Sequence, residues 1–373
     1  MYLFRYINKI LSTIVFFNLA ISSCNYESHD TFTVNCDSEL KIRNRIPLKE
    51  SYRVPNFYNV QLAQNYLIVD PLNSHRLFFY DLEGEIIHEI NKFGSGPGDY
   101  GVNRISLNYS DKKIYIHDGT NGRYTIMKTT RLPEQNNLSN HHSAGQNNLG
   151  IIINIYQNHL YVIADQRRQD KNNVIAYRVN IYKDTIIDTL YSALNLGAIT
   201  IPEINTVYTT KMLNHPIIIP DGLNLYYFNT SEYQLQSYDV KKNTHLLIDI
   251  PFTWKPDYNQ ILNWELSLYG NSYVTEKIQN QLKDVLRTST DELSWFYDVI
   301  IREGSIWFSL MPDSEFRKKL LRFDPRQDTV EVICSNTSWD ATKFRFLGLN
   351  GDQYLFLKID EEYIASIVYA ELY

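Results

Sequence analysis

Few residues in this chain have types and spacing that suggest chemistry, and the clearest is Cys24, which follows Ile21-Ser22-Ser23. An aliphatic residue and two small ones fit a peptidase groove, and a cysteine thiolate is a nucleophile that lipid can alkylate. Two more cysteines remain, Cys36 and Cys334. In an oxidising compartment such a pair can form a disulfide; otherwise they are two buried thiols. The most conspicuous run is Gly94-Ser95-Gly96-Pro97-Gly98-Asp99-Tyr100. Its glycines suit tight turns with positive φ. It lacks the Lys-Ser/Thr of a phosphate-binding loop and carries an acid instead. A turn between structural units is the plain reading, with Asp99 and Tyr100 as candidate ligand contacts.

Arg167-Arg168 with Lys171, and Arg317-Lys318-Lys319, are short basic runs that read as hairpin loops. They are either ordinary solvated turns or sites for an acidic glycan or a peptide terminus. Trp254, Trp264, Trp339, Tyr100 and Tyr208 lie in long connecting segments and could supply aromatic contacts to a partner. The candidate ligand-binding set is therefore Asp99, Tyr100, Arg104, Arg167, Arg168, Tyr208, Trp254 and Trp339. His141-His142 falls in a polar stretch with no carboxylate or cysteine cluster at ligand spacing, so a solvated loop is expected and no metal or cofactor. No Ser/His/Asp or Cys/His order can be assembled, and no catalytic residue is assigned.

These residues belong to a chain with a legible leader. Residues 1–9 carry Arg5 and Lys9 and no acid, and an apolar stretch follows from Ile10 to Ile21. That pattern is a signal peptide, and the stretch is shorter than the roughly 20 residues a bilayer span requires. The run ending in Cys24 resembles the lipobox of bacterial lipoproteins. The resemblance implies cleavage before Cys24 and acyl chains on it, two or more of which anchor stably. An ordinary signal peptide with a chance cysteine is the alternative. Position 25 is Asn rather than Asp, so the inner-membrane retention signal of some bacteria is missing and the outer membrane is expected, on either its periplasmic or its outer side. Removing residues 1–23 takes away two positive charges and shifts the net charge from -6 to -8. A mildly acidic exported protein is a poor candidate for binding nucleic acid.

The rest is built from repeated strand pairs. The chain has 29 tyrosines and 17 phenylalanines but four methionines, and aromatic and β-branched residues favour strands. Six units recur, at 66–90, 113–127, 160–190, 225–250, 305–333 and 353–369. Three share one hairpin grammar: an aromatic, then Asp, then a short polar turn and an apolar strand. The pairs are Tyr80-Asp81, Tyr238-Asp239 and Phe323-Asp324. An Asp at a strand end can bond the turn's own amides, which explains the recurrence without catalysis. A weaker strand precedes units, as at Phe57–Ala63 and Phe344–Leu349. Four strands per unit at a spacing of about 45 residues predict an all-β, six-bladed β-propeller of four-stranded blades. Thr31–Pro47 could supply the outer strand of the last blade and close the ring. A tandem of β-sandwiches is the alternative.

Residues 66–127 resemble two consecutive NHL-type (TolB-like) repeats. The first carries Leu67-Ile-Val-Asp70, Asn73, Arg76, Phe79-Tyr-Asp81, Gly84 and Phe93-Gly-Ser-Gly-Pro-Gly98; the second carries Ile114-Tyr-Ile-His-Asp118, Asn121 and Arg123. With the lipobox, the chain is similar to a bacterial family of six-bladed propeller lipoproteins of unknown function. The resemblance implies a fold and little about activity. It also suggests that Asp70 with Arg76, and Asp118 with Arg123, form ion pairs tying the blades.

The expected organisation is a signal peptide over 1–23, a lipidated leader over 24–30 and the propeller over 31–373. A helical insertion is expected between blades four and five, at about 257–292, where Val274, Ile278, Leu282, Val285 and Leu286 fall at helical spacing. The long segments 91–104, 131–150, 191–215, 251–296 and 334–343 all read as links between blades. In an up-and-down blade they share one face with the turns between second and third strands, and repeat proteins tend to put insertions on the binding side. The function expected is a non-enzymatic binding or scaffolding module, held to the membrane by lipid, for an envelope protein, peptide or glycan. The alternative is a lyase or hydrolase using residues that line the central channel, for which His117 and His159 are the histidines nearest to equivalent positions.

Overall fold

The computed structural model describes residues 34–49, 57–63, 65–71, 76–91, 103–108, 113–118, 123–128, 139–142, 151–157, 159–165, 173–180, 185–201, 206–210, 212–273, 276–289, 292–311, 317–336, 339, 343–360 and 365–373. After a first strand, β1 (Ser38–Pro47), the chain builds four-stranded antiparallel units one after another. Blade one is β2 (Phe57–Ala63), β3 (Tyr66–Pro71), β4 (Arg76–Asp81) and β5 (Ile86–Asn91). Blade two is β6 (Asn103–Asn108), β7 (Lys113–Asp118), β8 (Arg123–Lys128) and β9 (Ser139–His142). Blade three is β10 (Ile151–Tyr156), β11 (His159–Asp165), β12 (Asn173–Asn180) and β13 (Thr185–Leu194). A separate hairpin follows, β14 (Ala198–Ile201) with β15 (Thr206–Thr209). Blade four is β16 (Pro216–Asp221), β17 (Asn224–Asn229), β18 (Gln234–Asp239) and β19 (Thr244–Asp249). Two helices come next, α1 (Tyr258–Tyr273) and α2 (Glu276–Thr288). Blade five is β20 (Phe296–Arg302), β21 (Ser305–Leu310), β22 (Lys319–Asp324) and β23 (Thr329–Ser335). Blade six is β24 (Phe344–Asn350), β25 (Gln353–Ile359) and β26 (Ala365–Leu372).

The first strands of the units form a ring. Each touches the next in the order β2, β6, β10, β16, β20, β24, and β24 touches β2 again. The fold is thus a closed six-bladed β-propeller, as the repeats predict. Ring closure needs a fourth strand for blade six, and β1 supplies it. It pairs antiparallel with β26 from Leu40↔Leu372 to Pro47↔Ser366. The expected Thr31–Pro47 segment delivers that strand over its later part; residues 31–33 lie outside the described residues. β1 also runs parallel to β23 over Ser38–Leu40, and Cys36 forms a disulfide with Cys334 of β23. Of the two states open for these cysteines, the bonded one is observed.

The residue pattern explains the layering. Second strands lie between two neighbours in the blade and between two blades, so their central residues are mostly apolar. All six residues of β21, Ser-Ile-Trp-Phe-Ser-Leu, are buried, as expected of a continuous apolar run. Outer strands face water, and β19 is exposed along most of its length. The aromatic excess fills the seams between blades. Between blades three and four, Tyr191 stacks on Tyr227 at 4.7 Å between ring centroids, and Tyr161 and Tyr238 lie 6.3 Å apart. Burial, first of all, pushes the Tyr227 phenol well above its ordinary range. The Tyr191 hydroxyl donates to Asn229 Oδ1 at 2.7 Å and that of Tyr238 to Asn243 Oδ1 at 2.7 Å, whereas the buried Tyr227 hydroxyl has no hydrogen-bond partner among the described residues.

The turn aspartates act as the sequence suggests. Asp81 Oδ1 accepts from the amides of Glu83 and Glu85, Asp239 Oδ1 from those of Lys241 and Lys242, and Asp324 Oδ1 from that of Arg326. Three expectations need correction. The insertion between blades four and five holds two helices, α1 and α2, where one was read; residues 274–275 lie outside the described residues. The link after blade three contains the β14–β15 hairpin, and its first residues extend β13 to Leu194. His141 and His142 lie in the outer strand of blade two, β9, and not in a loop.

Candidate functional site: the elaborated face and the central cavity

Within each blade the chain runs up and down, so the links between blades and the turns between second and third strands emerge on one face. By this rule the β14–β15 hairpin, both helices and the connection between β21 and β22 belong to that face. Over blades three to five, the link segments that flank them are bonded to one another. The Ser294 amide donates to the Met212 carbonyl at 2.8 Å and the Asn214 amide to that of Glu292 at 2.8 Å, a bridge between two successive links. The Leu196 amide reaches the Asn214 carbonyl at 2.9 Å, and the Trp295 amide that of Thr230 at 2.9 Å. Thr230 Oγ1 and Ser294 Oγ are 2.5 Å apart.

Aromatic packing sits beneath these bonds. Tyr233 stacks on Trp295 at 5.2 Å, and Phe252 lies 5.6 Å from the same indole. Trp295 Nε1 donates to the Glu232 carbonyl at 2.8 Å. The Trp254 amide donates to the Tyr233 hydroxyl at 3.1 Å, and that hydroxyl donates to the Trp254 carbonyl. Trp264 packs 5.0 Å from Tyr297. From the helical stripe, Leu282 is buried and Val285 packs on the same cluster, so these two face the propeller; the side chains of Ile278 and Leu286 lie outside the described residues. Val274 lies outside the described residues.

The candidate residues divide accordingly. Trp254 is 4 % exposed and Trp339 2 %, and Trp264 is equally buried. All three are core side chains, and the expectation that they offer aromatic surface fails. Trp339 stacks on Phe344 at 4.8 Å and meets the ring of Phe356 edge-on at 5.0 Å. In long links a tryptophan is as useful for packing the link down as for meeting a partner. Asp99, Tyr100, Arg167, Arg168 and Cys24 lie outside the described residues. Arg104 is in β6 and Tyr208 in β15, with side chains also outside them.

The basic run 317–319 is not a solvated turn. Lys318 and Lys319 are 1 % and 0 % exposed. Lys318 Nζ donates to Ser309 Oγ at 3.0 Å and to the Tyr297 hydroxyl, and lies 4.5 Å from the centre of the Tyr297 ring. A buried ammonium must regain what it loses in hydration, and hydroxyls and an aromatic face supply part of that here. Lys319 Nζ reaches across to the Val34 carbonyl at 3.2 Å, just ahead of the disulfide.

In blade one, an ion pair beyond those expected joins two strands. Arg76 engages Glu89 of the adjacent strand, Nε to Oε1 at 2.6 Å and Nη2 to Oε1 at 2.5 Å. The side chains of Asp118 and Arg123 lie outside the described residues.

At the centre of the ring is a cavity of about 320 Å³, walled by β2, β10, β16, β20 and β24. Its wall is chiefly aliphatic, and Ile217, Ile218 and Ile219 of β16 are only half-buried against it. Toward the face that carries the insertions, Arg345 Nε pairs with Asp298 Oδ2 at 3.3 Å, bridging blades five and six. At the opposite end, Arg302 donates through Nη2 to the Leu62 carbonyl at 2.8 Å. His159 lies outside the described lining, and the side chain of His117 is not among the described residues. Sequence reading passed over Asp298, Arg302 and Arg345. The available signal was a charged residue interrupting an otherwise apolar first strand, in Phe296-Tyr-Asp-Val-Ile-Ile-Arg302 and Phe344-Arg-Phe346. Among the described residues, no group of three His, Cys, Asp or Glu is placed to hold a metal ion.

Comparison with known proteins agrees with this architecture. Residues 28–211 match a family model described as a 6-bladed beta-propeller. No curated protein matches. Among solved structures, the chain is similar to a protein from Bacteroides fragilis described as exported, at 16 % identity and TM-score 0.50, covering 91 % of this chain and 97 % of that one. It is also similar to a DUF4221-family member from Bacteroides vulgatus, at 8 % identity and TM-score 0.47, covering 90 % and 98 %. A streptogramin B lyase aligns at 8 % identity and TM-score 0.38, over 89 % and 98 %. The likeness to the Bacteroides fragilis protein is one of fold.

Proposed function

We propose that this chain is an exported, lipid-anchored propeller of the outer membrane that binds an envelope protein, peptide or glycan on its elaborated face, without catalysing a reaction on it. The observation that carries the reading is the set of links over blades three to five, which carry the β14–β15 hairpin and α1–α2 and whose 212–215 and 292–295 segments are bonded to each other. A rigid, insertion-bearing face is what a repeat fold offers a macromolecular partner. Export and lipidation rest on the leader and on Ile21-Ser22-Ser23-Cys24. The disulfide fits an oxidising compartment, and the structural neighbour described as exported is in keeping with it.

The decisive experiment is crosslinking in intact cells, with identification of co-purifying envelope proteins, alongside glycan arrays on the protein lacking residues 1–24. Capture that is lost when the insertion face is altered supports the reading. Blank captures and arrays, or a hydrolase or lyase activity found in a substrate screen, sink it. Metabolic labelling with a palmitate analogue tests the anchor: label lost in Cys24→Ser is expected, and label retained overturns lipidation at that residue.

A further inference from the structure

The central cavity has a composition that selects a ligand class. We infer that it binds a small aliphatic carboxylate, with the hydrocarbon against β16 and the carboxylate on Arg345. At about 320 Å³ it sits at the low end of ligand pockets, which run roughly 300–1,000 Å³. Its apolar side is formed by partly buried aliphatic residues of several inner strands. The three consecutive isoleucines of β16 line the cavity and stay partly exposed, as does Ile300 of β20, with Ile217 and Ile219 packed toward blade five and Ile218 toward blade three. Water gains nothing from such a wall, and an apolar chain laid on it is driven there at about 25 cal/mol per Å² covered.

The polar side sets the end group. The described lining contains two guanidiniums, Arg302 and Arg345, against one carboxylate, Asp298. Arg302 is buried, with its Nη2 committed to the Leu62 carbonyl at one end of the cavity. Arg345 is different. Its side chain is 40 % exposed, and it meets Asp298 through Nε, at 3.3 Å. Asp298, the third residue of β20, and Arg345, the second of β24, lie toward the insertion-bearing face. The ion pair therefore places the guanidinium at that end of a chiefly aliphatic cavity. A guanidinium fork matches a carboxylate bidentately, whereas an alcohol gains one weaker bond and an amine is repelled. This site is separate from the face proposed for a macromolecular partner, and each stands or falls by itself.

The test is calorimetric titration of the oxidised protein lacking residues 1–24 with octanoate, octanol and octylamine. Saturable one-to-one binding of octanoate, with octanol weaker and octylamine undetected, is expected. In Arg345→Gln, octanoate affinity should fall about tenfold or more, as loss of a charge-assisted bidentate contact requires, while octanol is unchanged. In Ile218→Gln both should weaken together. Arg345→Lys retains the ion pair's charge and guards against misfolding; it should keep the melting temperature and still lose most octanoate affinity. Absence of saturable octanoate binding to the wild-type protein overturns the proposal. So does equal octanoate affinity in a folded Arg345→Gln or Arg345→Lys.

Discussion

Arg302 and Leu62 stand 240 residues apart in sequence and are joined by a 2.8 Å hydrogen bond, from the guanidinium of blade five to a carbonyl of blade one. Blade six lies between them in the ring, and its Gly348 makes the reach possible. Gly348 has φ +134°, and a Cβ there would stand 3.0 Å from Arg302 Nε and 3.4 Å from Leu62 Cδ2. Blade five is thus tied to blade one by a side chain passing over a glycine of the blade between them.

Gly348→Ala should destabilise the fold by about 1–3 kcal/mol, because it combines an unfavourable backbone conformation with crowding against the guanidinium. Arg302→Ala should cost a similar amount, about 1–3 kcal/mol, by leaving the Leu62 carbonyl buried without that donor. Urea unfolding of each variant measures both. Wild-type stability in Gly348→Ala would show that the seam relaxes freely and that the arginine's path is not confined.

The Cys36–Cys334 bond joins residues 298 apart. A crosslink across so long a segment restricts the unfolded chain strongly, and removal of a native disulfide typically costs about 2–5 kcal/mol. Cys36→Ser with Cys334→Ser should lower the denaturation midpoint accordingly. Alkylation of the native protein without reductant should leave both residues unlabelled; labelling at either would contradict the bond.

Tryptophan substitutions separate packing from recognition. Trp264→Ala and Trp339→Ala should each cost about 3–5 kcal/mol of stability, since both rings are enclosed by core side chains. Thermal melts read this directly. A variant that melts like the wild type would return these residues to the list of surface contacts.

Acid should loosen the blade turns. The Asp324 carboxyl is held below the usual carboxylate range chiefly by the Arg326 side chain, and that of Asp239 chiefly by the Lys242 amide. A carboxyl depressed in the folded state contributes stability that is present above its unfolded pKa, about 4, and lost as pH falls through the folded value. Asp239→Asn and Asp324→Asn should therefore flatten the decline of melting temperature on acidification below about pH 4. An unchanged acid slope would mean that these turns open before they titrate.

The strands were legible because their physics is local. Alternating or continuous apolar residues, closed by Asp and a polar turn, place β3, β4, β17, β18, β21 and β22 within about a residue of where they lie. What escaped depends on distant partners. Lys318 and Lys319 look like a solvated turn until Tyr297, Ser309 and Val34 close over them. β9 is polar because outer strands need no apolar face. The β14–β15 pair is four residues a side, too short for a periodic signal. Asp298 and Arg345 meet only because blades five and six abut. For the charged half of the cavity, the decisive contacts arise between units, where a single-sequence pattern carries no signal.

The disulfide has a mechanical consequence. The N-terminal segment is at once the proposed tether and the strand that closes the ring. Pulled from its free end, a hydrogen-bonded edge strand peels one rung at a time, and a disc held only by β1 would unzip at its seam. Cys36 precedes the first rung of β1, and its covalent bond leads sideways into β23. Tension from the leader would be handed to the neighbouring blade before reaching the β1–β26 ladder. The anchor's load and the ring's closure are thereby decoupled for as long as the bond stays oxidised.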